Sequence, residues 1–254
     1  MRTVSLLSIT PVKSLGLHHP REVTVGPRGV EENRRFFLTG AGGRLFGGTK
    51  HGPLVQIRAD YDPERERLSL RFPDGSVVDG EIELGPATRT SFYGRTVPGR
   101  VVEGPWSAAL SDYAGTALRL VRADNPGDGS DVHVATLYSQ ASVEELSRRA
   151  GRDRPLDARR FRILVEVSGC APHEEDGWSG RDVRVGEALL RVGGPIPRCA
   201  VTTQDPTTGV RDFDTLRAIK SYRGVRDGKK IDFGVYADVR EPGRVRLGDP
   251  VEPL

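Results

Sequence analysis

Cysteine is scarce in this sequence, and long hydrophobic runs are absent. The only cysteines among 254 residues are Cys170 and Cys199, which are too few for a disulfide framework. A membrane-spanning helix needs about 20 consecutive apolar residues, and no segment approaches that length. Leu6 and Leu7 lie between serines, so they predict a strand and not a signal peptide. We therefore expect a cytoplasmic protein without a membrane anchor.

A strong surplus of charge of either sign is also missing. The 38 lysines and arginines nearly balance 35 aspartates and glutamates, which leaves a net charge of +3 at pH 7. So small a surplus predicts no nucleic-acid binding. Arginine supplies most of the positive charge, and its planar guanidinium suits phosphates and carboxylates. A bias in genome base composition explains the same excess equally well.

Many short strands separated by turns are the main structural pattern. The sequence contains 31 glycines and 18 prolines, which favours frequent turns over long helices. Pro73-Asp74-Gly75 is a strong hairpin signal between two apolar segments. The predicted strands are Val4–Ile9, Phe36–Leu38, Leu54–Ala59, Leu68–Phe72, Ser76–Ile82, Ala117–Val121, Arg162–Val167, Asp182–Val185, Ala188–Val192 and Val235–Val239. This pattern predicts a mainly β (α+β) protein.

Three short helices are predicted between the strands. Trp106–Tyr113 should end near Gly115. A second helix should begin at Ser142, whose hydroxyl and Glu145 have the spacing of a capping box. Thr215–Ser221 is the third. The polar and glycine-rich segment 125–131 is predicted to be a flexible loop or lid.

Two segments resemble ligand sites only superficially. The glycine-rich segment 40–50 lacks the Gly-Lys-Ser/Thr ending of a phosphate loop, so a turn between strands is the better interpretation. Cys170 and His173 precede acidic residues, but zinc sites need about four spaced ligands and no second Cys/His pair follows. We interpret this second segment as an acidic surface loop and Cys170 as structural.

The most informative segment surrounds the second cysteine. Cys199 follows Arg198 and precedes the pair Thr202-Thr203 and an Asp-Pro-x-x-Gly turn at 205–209. A thiol beside a positive charge favours the thiolate, which is the form that attacks electrophiles or binds metals. An inert, partly buried cysteine is the alternative that burial preference alone favours.

This cysteine segment belongs to an ordered series of motifs. The others are Pro11-Val12-Lys13-Ser14, Asn33-Arg34-Arg35-Phe36-Phe37, Ser139-Gln140-Ala141-Ser142, Arg160-Phe161-Arg162, Lys220-Ser221-Tyr222-Arg223 and Gly248-Asp249-Pro250-Val251. Together they resemble the MOSC family, which is named after the C-terminal domain of molybdenum cofactor sulfurases. The resemblance implies a MOSC-type β-barrel at 106–254, preceded by a smaller N-terminal β-barrel region at 1–105. The N-terminal strand is possibly shared between them.

The resemblance also implies a molybdenum cofactor (molybdopterin). By similarity to the amidoxime-reducing branch of the family, Cys199 is the expected metal ligand and catalytic residue. The expected cofactor-binding residues are Lys13, Ser14, Arg35, Ser139, Arg162, Arg198, Thr202 and Tyr236. Two positions depart from the family pattern: Arg34 stands where an aspartate is usual, and Ile163-Leu164 stands where Pro-Asn is usual.

The implied function is an oxidoreductase that reduces N-hydroxylated or N-oxide small molecules. Two cysteines cannot hold an iron–sulfur cluster, which needs about four ligands, and no dinucleotide-binding motif is present. Electrons are therefore expected from a separate protein, such as a ferredoxin, a flavin reductase or a cytochrome. One alternative is a sulfur carrier that holds a persulfide on Cys199 without catalytic molybdenum. Another is a cofactor-binding protein without turnover.

Overall fold

The computed structural model describes residues 1–254, which form eighteen strands and three α-helices. The strands are β1 (Thr3–Leu7), β2 (Glu22–Gly26), β3 (Gly29–Val30), β4 (Phe36–Thr39), β5 (Leu45–Phe46), β6 (Arg58–Asp62), β7 (Arg67–Arg71), β8 (Val77–Glu81), β9 (Glu83–Phe92), β10 (Arg95–Glu103), β11 (Arg119–Ala123), β12 (Ala135–Ser139), β13 (Val165–Ser168), β14 (Asp182–Val185), β15 (Ala188–Pro197), β16 (Asp232–Glu241), β17 (Gly243–Arg246) and β18 (Val251–Pro253). The helices are α1 (Trp106–Ala114), α2 (Gln140–Arg149) and α3 (Thr215–Arg223). The predicted mainly β class is confirmed.

A seven-stranded sheet forms the larger unit and almost closes into a barrel. Its strand order is β1-β13-β12-β16-β15-β14-β18. The two ends approach each other, since Val4 N donates to Asp249 O at 2.9 Å and Val251 N donates to Arg2 O at 3.0 Å. Its strands alternate buried and partly exposed residues, so their inward side chains form one apolar core. Near-closure leaves few unpaired strand edges.

The smaller unit contains a five-stranded and a three-stranded sheet with α1 between them. The strand orders are β5-β4-β11-β10-β9 and β6-β7-β8. Trp106 and Leu110 of α1 enter the apolar core of this unit, and Trp106 Nε1 donates to Leu68 O at 3.1 Å. The hydrogen bond satisfies the indole N–H in an otherwise apolar interior. Helix α1 therefore packs with the elements that precede it.

The beginning of the chain contributes to the other unit's core. Strand β1 pairs with β13, and Val23 and Val25 of β2 pack with residues from the second half of the chain. Between these two strands the chain enters the smaller unit, at Val12 and Leu15. The two units are thus joined by shared segments, and the junction positions Lys13 and its neighbours between them.

Some local predictions are confirmed and others are wrong. Helix α1 occupies the predicted residues, and its C-cap Gly115 has the left-handed backbone that ends a helix. Of the predicted strand Leu54–Ala59, the first three residues lie in a 3-10 turn over Gly52–Gln56 that Pro53 opens, and only Arg58 and Ala59 lie in a strand, β6. Helix α2 begins at Gln140, before Ser142, so the capping box does not form. The long hairpin β9–β10 was not predicted. No helix is long and apolar enough to cross a membrane.

Candidate functional site

A cavity of about 1360 Å³ lies where the two units meet, and Cys199 opens into it. Residues from the first motif, from the glycine-rich segment 42–50, from β9, from the end of β15 and from β16 line its wall. Cys199 is solvent-exposed, whereas Cys170 is partly buried elsewhere. The thiol that the sequence singled out is therefore the one that a ligand in the cavity can reach.

The local backbone presents Cys199 at the end of a strand. Strand β15 ends at Pro197, and Cys199 then caps a 3-10 turn over Ala200–Thr203. The buried Thr202 closes this turn, because its backbone N–H and its hydroxyl both donate to Cys199 O, at 3.1 and 3.0 Å. Two hydrogen bonds to one carbonyl fix the turn, and the side chain of Cys199 remains free.

Positive charge dominates the cavity wall. Its lysines and arginines are Lys13, Arg34, Arg44, Lys50, Arg89, Arg160, Arg162, Arg198, Arg226 and Lys230, whereas Asp131 is the only carboxylate. Four of the ten form ion pairs: Lys13 with Asp131, Arg160 with Asp212, Arg226 with Asp232 and Lys230 with Asp227. The other six have no carboxylate at ion-pair distance, so the wall favours an anionic ligand.

Three of the unpaired guanidiniums of the cavity wall are partly buried. Arg34 Nη2 donates to Arg162 O at 2.9 Å, Arg162 Nη2 donates to Leu15 O at 2.6 Å, and Arg198 Nη2 donates to Phe161 O. Burial lowers the pKa of Arg162 to about 9, with a further contribution from Arg34, and burial lowers that of Arg198 to about 10. Carbonyl partners leave these charges uncompensated, which is costly unless an anion binds.

A donor without a partner supports the same conclusion. Arg198 Nε is buried and makes no hydrogen bond, although buried N–H groups are nearly always satisfied. Its guanidinium also lies over the Phe161 ring, 5.5 Å from the centroid. The ring holds the guanidinium in place, and the unpaired N–H is a group that a bound anion could satisfy.

Lys13 and Asp131 form the one ion pair between the first motif and the segment 125–131. The Lys13 ammonium donates to the Asp131 carboxylate and to Gly129 O, the latter at 3.2 Å. Burial lowers the pKa of Lys13, Asp131 opposes that effect, and the nearby Arg34 adds to it. The predicted flexible loop is thus held against the cavity by a charged contact.

Backbone strain is concentrated at this cavity. Seven non-glycine residues have a positive φ, and four of them line the wall: Ser14, Arg34, Tyr93 and Arg162. Such conformations cost about 1 kcal/mol or more per residue and tend to occur at functional sites. Their clustering marks the cavity as a site that the fold maintains at a cost in stability.

Tyr236 also forms part of the cavity wall. The ring of His133 stacks on it with a centroid distance of 3.5 Å and an interplanar angle of 8°. Gly193 lies under the ring, and a Cβ there would be 2.1 Å from Tyr236 Cε2. Glycine at this position therefore permits the aromatic stack to lie flat on β15.

The structure brings most, but not all, of the expected site residues together. Those that line the cavity are Lys13, Ser14, Arg162, Arg198, Cys199, Thr202 and Tyr236. Arg35 is buried away from it and its Nη1 donates to Ala123 O at 2.5 Å. Ser139 is also fully buried elsewhere, and its hydroxyl donates to Ala171 O at 3.3 Å. The structure thus does not place Arg35 and Ser139 in the cavity wall.

Sequence reasoning missed several residues of the wall. Arg34 was noted only as a departure from the family pattern, yet its side chain lines the cavity while that of its neighbour Arg35 does not. Asp131 and Tyr93 were not singled out. The segment 42–50 was interpreted as a plain turn, and it carries Arg44 and Lys50 into the wall. Its two basic residues among glycines were the available signal.

Cys170 has the surroundings of a structural thiol. It packs against the core of the larger unit, and burial together with Glu174 raises the pKa of its thiol to about 11. Such a group remains protonated at neutral pH and reacts slowly. No cluster of three or more histidine, cysteine or acidic side chains has the geometry of a metal site.

The fold and the site together define a mainly β protein with a thiol-bearing, cation-lined cavity between two β units. The sequence profile of the MOSC domain matches residues 124–252, and that of the MOSC N-terminal beta barrel domain matches residues 1–115. The chain therefore belongs to the MOSC family.

Named relatives agree with this assignment. Mitochondrial amidoxime reducing component 2 of Bos taurus is 33% identical over 98% of this chain and 82% of its own length. Mitochondrial amidoxime-reducing component 1 of Xenopus laevis is 34% identical over 98% of this chain and 81% of its own length. The match to component 1 of Mus musculus, at 36% identity, spans 48% of this chain and only 37% of that protein.

A solved structure is also similar. The YuaD protein of Bacillus subtilis aligns over 100% of this chain and 96% of its own, with a TM-score of 0.46 and 13% sequence identity.

Proposed function

We propose that this protein is a molybdenum-cofactor-dependent oxidoreductase that reduces N-hydroxylated or N-oxide compounds. The observation that carries the proposal is the exposed Cys199 inside a cavity whose wall has ten cationic side chains and one carboxylate. The relatives named for amidoxime reduction support the class of substrate.

The residues of the cavity fit the chemistry of this cofactor. Molybdopterin carries a phosphate and dithiolene sulfurs, so it needs cationic partners and hydrogen-bond donors. Arg34, Arg162 and Arg198 supply uncompensated positive charge, and Arg198 Nε supplies a free donor. A cysteine thiolate is a soft ligand that suits a metal already bound by sulfur. Lys13, Arg162 and Arg198 would hold the anionic part, and Cys199 would ligate the metal.

When bound, the cofactor would supply the two-electron redox chemistry that cleaves an N–O bond. Reduction of an N-hydroxylated compound to the parent nitrogen compound and water consumes two electrons and two protons. Lys13 Nζ can donate one of those protons, because burial lowers the pKa of this ammonium. The remaining wall residues orient the substrate and limit the water around it.

Electrons would come from a separate protein. The relatives are named as components of an amidoxime-reducing activity, and two cysteines that lie apart cannot hold an iron–sulfur cluster. A ferredoxin, a flavin reductase or a cytochrome would serve. The substrate itself would be a small molecule that enters the cavity beside Cys199.

Metal analysis of paired cysteine variants tests the proposal. The protein should be purified from a molybdenum-replete host and its molybdenum and pterin content measured. We expect near-stoichiometric molybdenum in the wild type, loss of most of it in Cys199→Ser, and wild-type content in Cys170→Ser, whose thiol is remote from the cavity. Absence of molybdenum from all three proteins would refute the proposal.

The exposure of Cys199 also fits a second function, that of a persulfide carrier. A carrier needs an accessible thiol but no wall of cations for an anionic cofactor, so the cavity favours the first function. Mass spectrometry would distinguish the two: a persulfide on Cys199 with no pterin released on oxidation would support the carrier. Bound molybdenum without turnover of any N-oxygenated compound would instead indicate a non-catalytic cofactor-binding protein.

A further inference from the structure

The outward face of β9 forms one wall of the cavity. Arg89, Ser91 and Tyr93 alternate along the strand and its tip, and all three line the cavity and are exposed. The residues between them, Thr90 and Phe92, are fully buried. This alternation is that of a strand with one face in the core and the other open. The smaller unit thus presents a row of side chains toward the site that contains Cys199.

Tyr93 occupies an unusual position in that row. Its side chain is 67% exposed, and its backbone has φ of 44° at the tip of the β9–β10 hairpin. A bulky residue in this conformation stores strain. The two-residue hairpin turn accounts for the positive φ, whereas packing does not explain a large exposed aromatic ring beside a cavity, which points to a ligand.

Neighbouring contacts fix the hairpin tip in place. Phe92 packs edge-to-face on Phe37 with centroids 4.8 Å apart. Arg95 Nη2 donates to Asp128 O at 2.7 Å and to Ser130 O, so the tip is tied to the segment that carries Asp131. The ring of Tyr93 is therefore presented by a rigid support.

Tyr93 lines the same cavity as Asp131 and the candidate metal ligand Cys199. Val132, 62% exposed, adds a second apolar surface to that wall.

Arg89 lies four residues from Tyr93 on the same face of the strand. Its guanidinium has no hydrogen-bond or ion-pair partner. Lys13, Arg160 and Arg226, in contrast, each pair with a carboxylate. At about 3.4 Å per residue, the two Cα atoms are roughly 13 Å apart. The spacing suits a ligand that is elongated, with a planar end and an anionic end.

The cavity has room for a substrate in addition to a cofactor. Its volume of about 1360 Å³ exceeds the range of roughly 300 to 1,000 Å³ that one drug-sized ligand occupies. A pterin held by Arg162 and Arg198 would therefore leave space along β9. The face of β9 is then available to the substrate.

We propose that β9 is the substrate-recognition wall, where Tyr93 stacks on a planar N-oxygenated group and Arg89 pairs with an anionic substituent on the same elongated molecule. This rests on the proposed function for the identity of the N–O group. The preferred substrate class is therefore an aromatic amidoxime, hydroxylamine or N-oxide that carries a carboxylate remote from the reactive nitrogen.

Equilibrium binding of two probes tests this wall without requiring turnover. Titration calorimetry would compare benzamidoxime with 4-carboxybenzamidoxime on the purified full-length protein. We expect the wild type to prefer the carboxylated probe, and Arg89→Ala to lose that preference, by about three- to tenfold in Kd. Tyr93→Ala should weaken both probes by about tenfold, since it removes the stacking surface, and Tyr93→Phe should retain them.

Arg71→Ala is the matched control, because Arg71 is another exposed arginine of the smaller unit that lies outside the cavity. An unchanged preference of Arg89→Ala for the carboxylated probe would overturn the proposal. Loss of bound molybdenum or pterin from that variant would also overturn it, because it would assign Arg89 to the cofactor's phosphate. Failure of the wild type to bind either probe would also overturn it.

Turnover with a chemical reductant separates this proposal from the function on which it rests. Binding that follows the expected pattern without reduction of either probe would refute the oxidoreductase function and leave the recognition wall intact. Reduction of benzamidoxime by variants with unaltered binding would refute the wall and leave the function intact.

Discussion

Single buried charges distinguish this site from an ordinary protein interior. Arg198 is held by the carbonyl of Phe161 and by the face of its ring, and no carboxylate is at ion-pair distance. A buried charge without a counter-charge destabilises the fold by about 1 kcal/mol or more. Such a residue is expected where an anion binds. It should raise the affinity for that anion and lower the stability of the anion-free protein.

We therefore expect Arg198→Met to move stability and cofactor content in opposite directions. Methionine keeps most of the apolar contact with Phe161 and removes the uncompensated charge. Cofactor-free Arg198→Met should be at least as stable as cofactor-free wild type in urea unfolding. Its molybdenum content after expression should fall several-fold, because a charge-assisted contact contributes about 1.5–3 kcal/mol.

The exposed Arg71 provides a control for this experiment, since Arg71→Met should alter neither quantity. A marked loss of stability in cofactor-free Arg198→Met would show that the guanidinium is structural. Retention of full molybdenum content would show that it does not contact the cofactor.

Glu175 is a second buried charge, remote from the cavity, and it makes stability depend on pH. The residue is fully buried, and its carboxyl accepts hydrogen bonds from the Ser142 hydroxyl at 2.9 and 3.1 Å. Burial raises its pKa from 4.5 to about 7, an effect that the Ser142 hydrogen bond partly opposes. Between these two values the folded protein binds more protons at this site than the unfolded protein does, so stability falls as pH rises.

As pH rises from 4.5 to 7, this group lowers the free energy of unfolding by about 3 kcal/mol, at roughly 1.4 kcal/mol per pH unit. Glu175→Gln should remove that dependence, because glutamine stays neutral and still accepts a hydrogen bond from Ser142. We expect the variant to gain stability relative to wild type as pH rises through 5 to 8. Urea midpoints measured across that range would check it, and a constant difference between the two proteins would contradict it.

The sequence identified the correct motifs more reliably than the correct side chains. Lys13, Cys199 and Tyr236 line the cavity as expected, because each belongs to a motif whose backbone passes the site. Arg34 and Arg35 are adjacent, yet only Arg34 enters the wall, since its left-handed backbone at φ of 56° turns the two side chains to different sides. The sequence alone does not give this backbone angle, so the structure was needed to tell which of the two arginines lines the cavity.

Local elements with strong boundary signals could be predicted. Helix α1 has an apolar face and ends at Gly115, and both signals lie within one short segment. Helix α2 was placed too late because Ser142 has the spacing of a cap, whereas its hydroxyl in fact contacts Glu175, which is distant in sequence. The hairpin β9–β10 was missed because both of its strands contain proline and glycine, which usually separate strands. Long-range contacts decided both cases.

We expect the end of α1 to depend on the backbone freedom of its cap. Gly115 has φ of 65°, and a Cβ there would meet no atom within 4 Å, so substitution adds strain without a clash. Gly115→Ala should lower the free energy of unfolding by about 1 kcal/mol. Gly177→Ala is the control, because Gly177 also has open space but no positive φ. Equal effects in chemical denaturation would show that the left-handed cap is not the cause.

At the scale of the whole molecule, the site depends on how the two units meet. Lys13 and Tyr93 come from the first half of the chain, whereas Arg162, Cys199 and Tyr236 come from the second. Ordered motifs predicted that these segments belong to one family. They could not predict that β9 and the segment 42–50 complete the wall, because that follows from the packing of one unit on the other.

The supply of electrons to the site can be tested directly. A redox centre must be reduced again after each turnover. The chain has only two separate cysteines, too few for an iron–sulfur cluster, and no dinucleotide-binding motif. We expect the purified protein to be inactive with NAD(P)H alone. Reduction of an amidoxime or hydroxylamine should appear with reduced viologen, or with an added ferredoxin or flavin reductase system.

Salt dependence would reveal how a protein donor binds. The chain has a net charge of +3, and several cations at the cavity have no ion-pair partner, so an acidic donor should be attracted. Charges on the surface are screened over about 10 Å at 0.1 M salt. Rates with an acidic protein donor should therefore fall as salt rises. Rates with cationic reduced viologen should not fall, which makes viologen the internal control.

Robust turnover with NADPH and the isolated chain would contradict the expected need for a separate electron donor, since it would require a nucleotide site within the protein.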